Sequence, residues 1–196
     1  MTKTIGILGF DNVEALDFTG PFEVFTTADR VASREGLGHP FKVVSLSTQP
    51  SFIARAGLSI NAGFILGTEP KIDILIVPGG VTSEAEKNAE LISWLRGTYL
   101  DAEIVASVCT GVFLLAVAGL IEEVPVTTHW EDIVALKERF PKLEVKSGTR
   151  WVDTGKLVSS AGISAGMDMS LHLVERLTGA NLAVLTAKQM DYNWQK

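Results

Sequence analysis

Apolar and polar residues along this chain fall into alternating blocks. Residues 3–10 (KTIGILGF), 41–46 (FKVVSL), 72–77 (IDILIV) and 103–108 (EIVASV) are short, nearly continuous apolar runs, the pattern of strands buried on both faces. Amphipathic segments with helical spacing lie between them. Gly20-Pro21 predicts a helix start with Pro21 at the first position, running to about Val31. Ser83-x-x-Glu86 and Thr128-x-x-Glu131 read as capping boxes. The first opens a helix bearing Leu91, Ile92 and Leu95, the second a helix reaching about Arg139. Cys109-Thr110-Gly111 enters a helix with Phe113, Leu114 and Val117, closed by Gly119. Ser164 caps a helix with Met167, Leu171 and Val174 on one face and Gly179 past its end. A last helix covers roughly residues 182–192. Hairpins are expected over 52–60 and over 151–159, the latter turning at Asp153-Thr154-Gly155.

Apolar strands alternating with amphipathic helices predict an α/β fold. Its sheet is expected to be doubly wound and mostly parallel, with helices on both faces. No repeat, low-complexity tract or linker interrupts the pattern, so residues 1–196 are expected to form one domain.

Composition narrows the function. Apolar residues at 46% and charged ones at 20% are globular values, which excludes a disordered chain. A net charge of −6 with no basic run argues against a nucleic-acid surface, which needs a clustered basic face. No apolar stretch approaches the roughly 18 residues of a membrane span. The N-terminus reads as a first strand and not as an export leader, and a single cysteine excludes an internal disulfide. A cytoplasmic location is the resulting expectation.

In such sheets ligands bind at the carboxyl ends of the strands. Three segments should meet there: Glu14 and Asp17 after the first strand, Gly79-Gly80 after IDILIV, and Cys109 after EIVASV. A strand passing directly into a helix needs a sharp turn, and Ser107 and Gly111 are small enough to allow one. This is nucleophile-elbow logic with cysteine in place of serine. The helix N-terminus should favour the thiolate, and the amides of Gly79 and Gly80 should cradle developing negative charge. Cys109 is thus either a nucleophile or a small buried residue ending a core strand. Asp17 either exchanges a proton with it or caps the next helix. Glu14 is the weaker candidate for that work and reads more simply as a solvated loop residue.

Thr110 offers a backbone N–H and a hydroxyl just past the elbow, or is a plain helix-start threonine. His129 is either a base for Cys109 or a hydrogen-bonded residue behind the site. His172 reads as an i,i+4 partner of Asp168, and His39 as solvent-exposed. The GISAG stretch at 162–166 lacks the phosphate-loop fingerprint and reads as a helix-entry turn. One cysteine and three scattered histidines give no metal constellation.

The segments LDFTGPFEVF (16–25), IVPGG (76–80), SVCTGVFLLAVAGLI (107–121), TTHW (127–130) and SSAGISAGMDMSLHLV (159–174) together resemble the ThiJ/PfpI family. This is a branch of the class I glutamine-amidotransferase-like fold, and within it the motifs look most like those of isonitrile hydratases. The resemblance implies a flavodoxin-like fold, a homodimer and no cofactor or metal. It maps the nucleophile to Cys109, the acid/base carboxylate to Asp17 and the neighbouring threonine to Thr110. The small-molecule substrate would be an isonitrile, hydrated to an N-substituted formamide. Protease-like members carry histidine directly after the cysteine; Thr110 here argues against peptide cleavage. Regulator members add a helix-turn-helix region that this sequence is expected to lack. Deglycase, glyoxalase or amidase chemistry, and non-catalytic ligand or redox sensing, are the alternatives.

Overall fold

A computed structural model describes residues 1–196. Its strands and helices follow in chain order: β1 (Lys3–Leu8), α1 (Ala15–Arg34), β2 (Phe41–Ser47), β3 (Ser51–Ile53), β4 (Ser59–Asn61), β5 (Phe64–Ile65), β6 (Ile74–Val77), α2 (Ala89–Asp101), β7 (Ile104–Val108), α3 (Gly111–Val117), β8 (Pro125–Val126), α4 (Ile133–Arg139), β9 (Glu144–Val145), β10 (Trp151–Asp153), β11 (Leu157–Ser160), α5 (Ala165–Thr178) and α6 (Ala180–Gln189). A seven-stranded sheet runs β10-β11-β7-β6-β1-β2-β5. Every pairing in it is parallel except the β10–β11 hairpin. This is the expected α/β fold. The central strands β6 and β7 are buried along their whole length, as continuous apolar runs require. Helices α1, α5 and α6 pack on one another in one layer; α2 packs on α3, which rests on β6 and β7.

Both predicted hairpins form. The β3–β4 pair is antiparallel, and Asp153 Oδ1 accepts the Gly155 N–H in the second turn. Helix starts depart from the sequence reading in instructive ways. Helix α1 begins at Ala15, and Pro21 lies inside it. The missing N–H of Pro21 removes one bond, while Phe18, Val24, Phe25, Ala28 and Val31 bury a continuous face that carries the helix through. Gly20 serves contact instead of initiation: a Cβ there would stand 3.0 Å from Met167 Cγ of α5.

Neither capping box forms as predicted. Asn88 caps α2 by accepting from the amides of Glu90 and Leu91. Glu86 instead accepts from the Thr82 hydroxyl and from Arg139, because an arginine partner outcompetes a backbone amide. Ser164 makes no side-chain cap to α5. The Asp168–His172 pair is also replaced: Asp168 takes Arg150, and His172 Nε2 meets Asp153 Oδ2 at 2.7 Å. His39 is exposed, as expected, with Nδ1 2.8 Å from Asp29.

Candidate active site

The loops after β1 and β6 are stitched together. Val13 bridges Gly80, Glu14 N–H donates to Gly79 C=O at 2.8 Å, and Val81 N–H donates to Asn12 C=O at 3.0 Å. That stitching brings the first turn of α1, with Asp17, under the end of β7. The segments expected to converge at the strand ends do converge.

Cys109 forms the sharp turn that its neighbours predicted, with φ at +55°. Such a backbone is uncommon for a residue with a side chain and persists only when its surroundings hold it. They do. Cys109 N–H donates to Ser160 C=O at 3.0 Å, and the Thr128 hydroxyl donates to Cys109 C=O at 2.9 Å. Gly162 presses against the turn so closely that a Cβ there would lie 2.3 Å from Cys109 Cβ. Thr128 therefore secures the elbow and does not cap a helix, a role that no local spacing signals.

Asp17 is fully buried. Its Oδ2 accepts the Gly79 N–H at 3.1 Å, and its Oδ1 has no hydrogen-bond partner. Burial raises its pKa from 3.8 to about 7, and the Gly79 amide only partly offsets that. The Cys109 thiol lies beside it, and each group perturbs the other. Burial first, and then the Asp17 charge, push Cys109 up to about 12. This corrects the expectation of a thiolate favoured by the helix end. The Thr110 amide does lower the thiol, but one amide does not outweigh loss of water and an adjacent carboxylate.

The amide cradle is corrected as well. Gly79 N–H is taken by Asp17, and Gly80 N–H by the Thr110 hydroxyl at 2.8 Å. That hydroxyl in turn donates to Gly80 C=O at 2.9 Å. Gly79, Gly80 and Thr110 thus hold one another in place, leaving the Thr110 backbone N–H facing the sulfur.

A cavity of about 300 Å³ opens before Cys109, lined also by Glu14, Arg55, His129, Asp132 and Ile163. Glu14 is not a free loop residue: its Oε2 pairs with Arg55 at 3.0 Å. His129 lines the cavity with Nδ1 3.6 Å from both Glu131 and Asp132. Sequence reasoning missed Arg55, Asp132 and Ile163. Arg55 comes from the β3–β4 connection, and no local motif ties it to Cys109. A wider hollow of about 430 Å³ borders Thr128, Trp130 and Gly162 but reaches neither Cys109 nor Asp17. No cluster of metal-ligating side chains forms, and no helix is long and apolar enough to cross a membrane.

Comparison with known proteins matches this arrangement to relatives of two kinds. Isonitrile hydratase of Pseudomonas putida is 31% identical over 194 residues, 98% of this chain and 79% of that protein. The HTH-type transcriptional regulator GbdR of Pseudomonas aeruginosa is 29% identical over 97% of this chain but 51% of its own length. The chain thus spans about half of such regulators. A THiJ/PfpI family protein from Pseudomonas syringae superposes with a TM-score of 0.86 at 24% identity, covering 100% of this chain and 77% of that one. The DJ-1/PfpI family pattern matches residues 3–176, and the chain belongs to the DJ-1/PfpI family.

Proposed function

We propose that this protein is a cysteine-dependent enzyme acting on a small electrophile, with isonitrile hydration as the reaction that fits best. The observation that carries the reading is the pairing of Cys109, which lines the cavity, with the carboxyl of Asp17 buried beside it. A cysteine fixed on a strained turn stands beside a fully buried carboxyl whose pKa is near neutrality. A general acid/base works best when its pKa lies near the working pH. Similarity to isonitrile hydratase over nearly the whole chain supports the choice of electrophile.

In this mechanism Asp17 takes the thiol proton as Cys109 Sγ attacks the terminal carbon of R–N≡C. Asp17 then returns that proton to the carbon, giving a thioimidate, R–N=CH–S–Cys109. Water adds to the same carbon; Asp17 takes one of its protons and passes it to the nitrogen, giving R–NH–CH(OH)–S–Cys109, whose hydroxyl proton goes to the sulfur on collapse. Collapse releases R–NH–CHO and the thiol. The net change is addition of one water. Protonation of Asp17 removes the charge that opposes the thiolate, so the two groups titrate as one unit. The Thr110 amide supports the sulfur's negative charge. Gly79, Gly80, Thr110 and Thr128 act by position. A lone unpaired thiol in this role suits a reducing compartment, so the proposal includes the cytoplasm; assembly as a homodimer is likewise part of it.

Incubation of the purified protein with an aryl isocyanide should yield the formamide, and Cys109→Ala should abolish it. Absence of turnover across several isocyanides overturns the hydratase reading.

Similarity to the regulators favours a second reading, a ligand-sensing domain. That reading requires thermal stabilisation by a small molecule that leaves unchanged.

A further inference from the structure

This inference deepens the reading of Cys109 as a nucleophile and concerns what can approach it. The cavity carries three carboxylates, Glu14, Glu131 and Asp132, against one permanent cation, Arg55. Arg55 is held by Glu14, so that pair cancels. His129 stands between the other two carboxylates at 3.6 Å from each. A neutral imidazole leaves both uncompensated; a protonated one leaves a single negative charge. The mouth is anionic in either state. Glu131 is well exposed and screened by water, whereas Asp132 is only about a third exposed and close enough to the sulfur for its charge to raise Cys109. Asp132 therefore carries more of the effect.

The rim thus favours a group bearing positive charge and repels an anion.

We propose that the site selects small electrophiles carrying a positively charged group, such as an ammonium, near the reactive carbon, and rejects those carrying a carboxylate. The cation rests at the mouth against Asp132 while the carbon reaches Sγ. Acidic clefts concentrate cations and exclude anions by the same field, so one arrangement gives both attraction and discrimination.

Because Cys109 is the only cysteine, covalent labelling reads this site alone. The probes are two methanethiosulfonates of similar length, one ending in trimethylammonium and one in sulfonate. In each, Sγ attacks the reagent's sulfenyl sulfur, a mixed disulfide forms and methanesulfinate leaves. The ratio of cationic to anionic rates should exceed that of N-acetylcysteine by at least about tenfold. It should fall by at least about threefold in Asp132→Asn/Glu131→Gln, and in wild type at about 1 M salt, where charges are screened beyond about 3 Å. Exposed Glu131→Gln alone should give a smaller fall and serves if the double variant misfolds. A ratio within about twofold of the free thiol's, or one unchanged in the variants, overturns the charge preference alone. A Cys109 inert to both reagents overturns the nucleophile reading together with it.

Discussion

Asp17 and Asp168 occupy matching places: each lies in the first turn of a helix, α1 and α5, and each is fully buried. Their partners differ. Asp168 Oδ2 accepts from two nitrogens of Arg150 and Oδ1 accepts from the Gln195 amide at 2.9 Å. Asp17 has one amide, one unpartnered oxygen and a thiol for a neighbour. Depth alone therefore does not mark a reactive carboxyl. A matched one anchors structure, and the unmatched one is the group to which the proposed mechanism gives the proton transfer.

Exchange of each carboxyl for an amide tests that contrast directly. Asp17→Asn keeps an acceptor for Gly79 but loses proton transfer, and isocyanide turnover should fall by at least about 100-fold. Asp168→Asn should leave turnover within a few-fold. Equal losses, or a fully active Asp17→Asn, would break the comparison.

Stability should separate the two residues in the opposite sense. Folded Asp17 keeps its proton up to about pH 7, whereas the unfolded carboxyl releases it near 3.8. Its contribution is complete below about 3.8 and declines as pH rises toward 7. Wild type should lose about 3 kcal/mol from this group between pH 5 and pH 8. Denaturant titrations at the two pH values measure that slope, and Asp17→Asn should flatten it. Glu86 and Asp153, both lowered by cationic partners, titrate below this window. A slope unchanged in the variant would show that Asp17 is not the group responsible.

Asp168→Asn should cost about 3 kcal/mol at neutral pH, the low end for breaking a buried pair, because Arg150 is partly exposed and can recover water. The smallest effect is expected at Trp194, whose Nε1–H donates to Asp168 C=O at 3.2 Å. Trp194→Phe should cost about 1 kcal/mol and leave turnover unchanged. A large loss of activity there would mean that the anchor and the reactive site are coupled.

The sequence discloses what is local and withholds what is assembled. Strands β6 and β7 are legible because ILIV and IVASV are buried on both faces and show it in every residue. The elbow is legible because small residues bracket Cys109. The start of α1 is not, since Gly20-Pro21 has a local meaning that packing against Met167 overrides. Thr128 and Glu86 fit capping patterns, yet tertiary partners claim them: the Cys109 carbonyl and Arg139. Asp17 could be named from sequence, but its lack of a second partner could not, because that depends on what the fold leaves out around it. Arg55 and Asp132 enter the site through loops whose approach no spacing encodes.

The tethering of Cys109 carries an evolutionary consequence. Its position rests on a strand carbonyl, a buried threonine and close-packed glycine, none of which belongs to the charged rim. Surface substitutions at Arg55, Glu131 or Asp132 can accumulate without moving the sulfur. A lineage built this way can change what it recognises in small steps while inheriting an intact reactive atom, and descendants with different diets can share one unchanged floor.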